Sequence, residues 1–93
     1  MKQTRRILVH AGWSGPAAAA KTAAERVAHA SGLLLEVIPT ESAAQALAPF
    51  GFVETDFQGW AEAVRIEGEA VVFRCALAGR NGPDLVAIAE FMK

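Results

Sequence analysis

The chain has little of what a disulfide-bonded, nucleic-acid-binding or membrane-spanning protein needs. Cys75 is the single cysteine in 93 residues, which excludes an intramolecular disulfide and removes any need for an oxidising compartment. Nine Lys and Arg against ten Asp and Glu leave a formal net charge of −1. The chain therefore lacks the excess of positive charge that binding to nucleic acid or anionic lipid requires. No stretch approaches the roughly 18 apolar residues of a membrane span. We therefore expect a cytoplasmic protein with neither a nucleic-acid nor a membrane partner.

Linkers, low-complexity tracts and internal repeats are also lacking, which predicts a single domain over residues 1–93. Hydrophobic residues make up 53% of the chain, enough for a packed core. The first apolar segment follows basic residues, as the apolar region of an export signal does. His10 and the turn after it limit this apolar run to about five residues, whereas an export signal has about 7 to 15. We interpret this segment as a first strand. Two histidines and one cysteine without ligand spacing predict no metal, and we expect no cofactor.

The first half of the chain has the pattern of a strand, a helix and a second strand. An apolar run over 7–10 precedes an alanine-rich amphipathic segment over 16–30, which ends at Gly32, a residue suited to the left-handed closure of a helix. A second apolar run covers 33–38. Two strands separated by one helix pair in parallel with a right-handed crossover. This half therefore predicts a βαβ unit.

The second half predicts a short helix, a hairpin and a final helix. Ser42 is placed to cap a helix over 43–48, and an antiparallel hairpin follows with strands over 63–66 and 70–76. The segment before the hairpin allows a second interpretation, since Phe57, Trp60 and Val64 have helical spacing. The turn N-G-P-D opens the last helix, whose predicted apolar stripe is formed by Leu85, Ile88, Ala89 and Met92. The complete order is βαβαββα, a mixed α/β fold.

The loop after the first strand is the most informative local pattern, because it has the sequence W-S-G-P-A at positions 13–17. With cysteine in place of Ser14 and Ala17 it would be the W-C-G-P-C loop of thioredoxin. The chain resembles the thioredoxin family over nearly its whole length, in this loop, in the order of elements, in F-G-F-V at 50–53 and in E-G-E at 67–69. The resemblance implies a single thioredoxin-like domain, a three-layer sandwich built on a mixed sheet.

The chain departs from that family where its redox chemistry is done. A serine hydroxyl is not ionised near neutral pH by a helix dipole contributing about 0.3 to 1 kcal/mol, and alanine offers no nucleophile. Dithiol exchange through this loop is therefore excluded. Leu8 takes the place of the family's buried acid. The family's cis-proline would match Asp56 or Trp60, depending on the direction of counting, so we expect a trans peptide bond and an altered groove.

Ser14 is predicted to cap the first helix rather than to act as a nucleophile. A catalytic serine needs an adjacent base and an orienting group. His29 would lie about 22 Å away along the helix, and His10 has no carboxylate placed beside it by the sequence. The exposed N–H groups at the helix start would also favour an anion, glutathione included, although the missing cis-proline weighs against that ligand. We predict no catalytic residue.

The function we expect is binding of a protein or peptide by a redox-inactive thioredoxin-like domain. The binding residues predicted for it are Trp13, Ser14, Gly15, Pro16, Ala17, Asp56 and Trp60. The alternative is a thiol-disulfide oxidoreductase or glutathione-dependent enzyme with a modified loop or with its chemistry moved to Cys75. The outer strand of the hairpin offers a second mode of contact, since strand pairing with another copy would give a homodimer.

Exposure and burial of several side chains are also predicted. Trp13 should be at least half exposed, most phenylalanines should be buried, and the carboxylates of Glu54 and Asp56 should be solvated in a loop. Alternation along the strand over 70–76 places Cys75 on the same face as Val71 and Phe73, as a small buried hydrophobe.

Overall fold

A four-stranded mixed sheet forms the centre of the structure, a computed structural model in which residues 3–57 and 59–93 are described. The strands are β1 (Thr4–His10), β2 (Glu36–Pro39), β3 (Glu62–Glu67) and β4 (Ala70–Ala76). They lie in the order β2-β1-β3-β4, with β1 and β2 parallel and the other two pairs antiparallel. The mixed α/β class, the parallel pair and the hairpin are confirmed.

Helices pack on both faces of the sheet. These are α1 (Gly15–Ser31), α2 (Thr40–Ala46) and α3 (Leu85–Met92). One core cluster joins α1 and α3 to Leu8 and Ala63, and a second cluster on the opposite face joins α2 to Ile7, Val9 and Val64. The face of α1 that meets the sheet consists of alanines, namely Ala17, Ala20, Ala24 and Ala28. Their small side chains allow close packing of the helix on the sheet.

Both ends of α1 have the caps that the sequence predicts. Ser14 has extended dihedral angles and its Oγ accepts a hydrogen bond from the Ala17 N–H at 3.3 Å. At the other end Gly32 is left-handed, with φ 66°, and its N–H donates to the carbonyl groups of Ala28 and His29. Local chemistry therefore determines where this helix begins and ends.

The second strand and second helix begin elsewhere than predicted. β2 begins at Glu36 rather than at residue 33, and Leu34 is 81% exposed. α2 begins at Thr40, directly after Pro39, so the prediction that Ser42 caps a helix over 43–48 is wrong. The dihedral angles of Pro39, −67° and 147°, start the helix without any side-chain cap, and Ser42 falls inside the first turns. A 3-10 turn (Ala48–Phe50) then follows.

The buried face of α3 also differs from the predicted stripe. Ile88 and Met92 are buried as expected, but Leu85 is 70% exposed and Ala89 is exposed. Ala87 and Phe91 are buried in their place. A short hairpin of β5 (Ala78–Gly79) and β6 (Gly82–Pro83), which the sequence did not predict, precedes the helix. Its strands have two residues each, too few to produce an alternating pattern.

A β-bulge changes which side chains of β4 share a face. Arg65 pairs with Phe73, whereas the next residue of β3, Ile66, pairs with Val71. Val72 is therefore the extra residue, and it turns Val71 to the face opposite Phe73 and Cys75. The prediction that all three share one face is wrong for Val71. Cys75 is half-buried against the core cluster that contains α1 and α3.

The outer strand of the hairpin lies at an edge of the sheet. Within the described residues β4 pairs with β3 alone, so its other edge has no partner strand. Val71 and Val72 on this strand are 37% and 45% exposed. Pairing with a second copy stays a prediction. Across 3–57 and 59–93, no helix combines the length and the apolar character that crossing a bilayer requires.

Candidate functional site

A groove lies where the parallel strands β1 and β2 end. The loop after β1 carries Trp13, and α2 begins immediately after β2. Together with the segment around the 3-10 turn Glu54–Asp56, they enclose about 430 Å³. The lining side chains are Trp13, Thr40, Glu41, Ala44, Gln45, Glu54 and Phe57, which we call the Trp13 groove. Ligands of open α/β sheets commonly bind at this end of the strands.

Trp13 is a highly exposed side chain of this groove. It is 73% exposed, which confirms the prediction from the sequence. The far edge of its ring lies against Gly59, where a Cβ atom would come within 2.8 Å of Cζ2 and closer still to Cη2. Gly59 also has φ 90°, a conformation that other residues rarely adopt. The indole therefore rests on backbone that only glycine supplies, with most of its surface open to solvent.

The rest of the W-S-G-P-A loop lies behind Trp13 and contributes no wall to the groove. Ser14 is 7% exposed and its Oγ is occupied as the helix cap, while Ala17 is fully buried in the core. Gly15 is exposed and Pro16 is half-buried. Of the five loop residues predicted to bind, only Trp13 reaches the Trp13 groove.

Asp56 and Trp60 line a different pocket. It encloses about 280 Å³ between the loop before β3 and the end of β4, and its other lining residues are Glu62, Arg74, Cys75 and Ala76. Trp60 is half-buried, and its backbone N–H donates to the Glu62 carboxylate at 3.4 Å. The structure therefore separates the predicted binding residues into two places, with Trp13 in one and both Asp56 and Trp60 in the other.

Both carboxylate oxygens of Asp56 accept hydrogen bonds from neighbouring groups of the protein. One carboxylate oxygen accepts from the Val53 N–H at 2.7 Å, and the other accepts from Arg74 at 2.6 Å. These contacts, the Val53 N–H first and then Arg74, hold the pKa of Asp56 below its ordinary value. Glu54 is exposed as expected, whereas Asp56 is partly exposed and ion-paired with Arg74, which the sequence did not predict.

The ion pair of Asp56 and Arg74 also contacts the aromatic side chains at the base of the Trp13 groove. The Arg74 guanidinium lies 4.8 Å from the ring centre of Phe52, and Phe52 stacks on Phe57 with the ring centres 5.7 Å apart. Phe57 is 8% exposed and lines the groove. Asp56 and Arg74 therefore connect β4 to the aromatic pair under the groove. Their effect on a ligand would be indirect, through the position of these two rings.

The hydrogen bonds of Asp56 are expected to make the stability of the folded state depend on pH in the acid range. Because the pKa is lowered in the folded state, the stabilisation is present above the ordinary value of about 3.9 and is lost as the pH falls through the lowered value. Asp56→Asn should therefore lower the unfolding midpoint at pH 7, and the difference from the unchanged protein should shrink below about pH 4. Thermal unfolding from pH 7 to pH 2 measures it. Glu54→Gln, at an exposed carboxylate, is the control; an equal effect of both variants at every pH would contradict the assignment.

The backbone before β3 is unusual at the position where the family would have its cis-proline. No peptide bond in the described residues is cis, as the sequence predicted. Gly59 and Ala61, on either side of Trp60, both have positive φ, 90° and 57°. A left-handed alanine costs about 1 to 2 kcal/mol. Two left-handed residues therefore form the turn into β3, with no helix over this segment.

The far wall of the groove is what the sequence analysis missed. Gln45 lies in a helix as predicted, but Thr40 and Glu41 form the first turn of α2, which the sequence predicted to begin only at residue 43. The signal that identifies them is the proline at the end of the second parallel strand, since residues after such strands meet at one edge of the sheet. Among the described residues, Thr40 Oγ1 is enclosed and has no hydrogen-bond partner.

Comparison with known proteins assigns the chain to no family. None of the family models, curated proteins and solved structures compared with it matches at a significant level. In the part of the chain that the structure describes, no three side chains of His, Cys, Asp or Glu come together as metal ligands. The chemistry of the Trp13 groove is therefore inferred from its own residues.

Proposed function

We propose that this chain is a thioredoxin-like domain without the loop cysteines, and that it binds a protein or peptide at the Trp13 groove. The order of strands and helices supports the family assignment, because it follows the βαβαββα order of the resemblance apart from the short β5–β6 hairpin between β4 and α3. The parallel pairing of β1 with β2 and the antiparallel β3–β4 hairpin agree with it as well.

The exposure of Trp13 is the observation that carries the proposal. A large aromatic side chain that remains 73% exposed beside a groove has the character of a binding hot spot. It stands at the start of α1, next to the ends of the parallel strands, where ligands of such folds bind.

The loop chemistry supports binding without electron transfer. Ser14 Oγ accepts the Ala17 N–H, and the Ala17 methyl group is enclosed in the core. Neither atom can form or break a disulfide. Cys75, on β4, donates its S–H to the Ala76 carbonyl at 3.2 Å, and a lone thiol has no partner with which to complete a dithiol cycle.

Selection from a library of displayed peptides tests the proposal. The unchanged protein should enrich peptides whose affinity falls about tenfold or more in Trp13→Ala, the effect of removing a hot-spot aromatic side chain. Leu34→Ala is the control, because Leu34 is also a large apolar residue, is 81% exposed and does not line the groove. It should leave affinity within about twofold. Failure to enrich any peptide, or equal binding by Trp13→Ala, would refute the proposed function.

A further inference from the structure

Among the described residues, the Trp13 groove is lined by carboxylates and by no cationic side chain. Glu41 and Glu54 are its charged lining residues, and within the described residues neither forms an ion pair. Arg74, which contacts Phe52 beneath the groove, is already paired with Asp56. Both carboxylates of the groove are exposed, and they lie on different elements, Glu41 on α2 and Glu54 on the 3-10 turn before β3. The groove is therefore electrostatically complementary to a positive group.

The aromatic side chains of the groove favour the same kind of group. Trp13 is exposed over most of its surface, and the indole ring attracts cations more strongly than other aromatic rings do. The volume of about 430 Å³ lies within the range of about 300 to 1,000 Å³ that small-ligand pockets occupy. Gln45 adds a polar amide on the α2 wall. A groove lined by an exposed aromatic ring and two carboxylates suits a side chain with an apolar stem and a charged head.

We infer that the Trp13 groove receives the ammonium or guanidinium group of a lysine or arginine side chain in the bound peptide. This inference rests on the proposed function and specifies its ligand. The aliphatic stem contacts Trp13 and Phe57, and the charged head lies between Glu41 and Glu54. An acidic side chain is disfavoured there by both carboxylates, so the groove selects by charge as well as by shape.

Defined peptides test the inference. The probes are Gly-Gly-Lys-Gly-Gly, the same peptide with norleucine in place of lysine, and the same peptide with glutamate, all capped at both ends. The unchanged protein should bind the lysine peptide about tenfold more tightly than the norleucine peptide at low salt. The preference should shrink as ionic strength approaches about 0.15 M. Isothermal titration calorimetry measures each affinity, for the unchanged protein and for every variant.

Two double variants make the test specific for charge. Glu41→Gln, Glu54→Gln should reduce the lysine preference to about twofold or less, whereas each single variant should reduce it about two- to fivefold. The matched control is Glu67→Gln, Glu69→Gln, which changes net charge equally at exposed positions of the β3–β4 hairpin. It should keep the full preference.

The outcomes separate this inference from the proposed function. If the lysine and norleucine peptides bind equally and both lose affinity for Trp13→Ala, the preference for a cationic side chain is refuted, whereas peptide binding at the Trp13 groove is supported. A lysine preference that survives in Glu41→Gln, Glu54→Gln would refute the assigned carboxylates. Binding that is insensitive to Trp13→Ala for every peptide would refute both.

Discussion

A Ser14→Cys, Ala17→Cys variant is expected to reduce insulin disulfides catalytically with dithiothreitol as electron donor, whereas the unchanged protein should show no rate above background. Position 14 is the cap of α1, and its side chain already accepts the N–H of residue 17 at 3.3 Å. A thiolate there would have its pKa lowered by the helix N-terminus, to between about 3.5 and 7.5 in comparable sites. It would attack the insulin disulfide, and the thiol at position 17 would release the product as a disulfide forms between the two positions.

The control pair for this experiment is Ala28→Cys, Ser31→Cys. It replaces the same two residue types at the same spacing, but at the C-terminal end of α1. There the helix dipole disfavours a thiolate, so insulin reduction should stay near background. Ser14→Cys alone should form a mixed disulfide without turnover, because no second thiol resolves it. A folded Ser14→Cys, Ala17→Cys protein without activity would contradict the thioredoxin-like assignment of the loop.

Phe91→Ala is expected to destabilise the fold by about 3 to 5 kcal/mol, the usual cost of emptying a buried phenylalanine site. Phe91 is fully buried and stacks on Phe73, with the ring centres 6.1 Å apart. Arg65 holds the same end of α3 by donating to the carbonyl groups of Glu90 and Phe91 at 3.0 and 3.1 Å. Urea unfolding followed by circular dichroism measures the change.

Leu85→Ala is the matched control on the same helix. Leu85 belongs to the stripe that the sequence predicts to be buried, but it is 70% exposed. Its removal should change stability by no more than about 0.5 kcal/mol. A larger loss in Leu85→Ala than in Phe91→Ala would show that α3 packs by the other face.

The α3 error has a physical cause in the composition of that helix. Seven of its eight residues, all except Glu90, are apolar, so two overlapping stripes satisfy helical periodicity. The choice between them depends on what lies opposite, namely Phe73 on β4 and the alanine face of α1. Periodicity identifies a helix here, but packing against distant residues selects its buried face.

The bulge in β4 is a second case in which a pattern along one segment does not predict which face a side chain occupies, here for a single residue. Alternation places Val71 with Phe73, but pairing with β3 skips Val72 and reverses the face. A bulge depends on the partner strand as well as on the strand that contains it. The composition of β4 alone therefore does not reveal it.

The sequence by itself determined the features that depend on near neighbours: the caps of α1 at Ser14 and Gly32, the β3–β4 hairpin, the exposed Trp13 and the absence of sulfur from the loop. Capping, turns and loop chemistry involve residues a few positions apart, and their physics is local. Only the tertiary structure decided that α2 forms the far wall of the Trp13 groove, and that Asp56 pairs with Arg74 in a separate pocket. Those contacts join segments distant in the chain, and the packing of the whole sheet and its helices sets them.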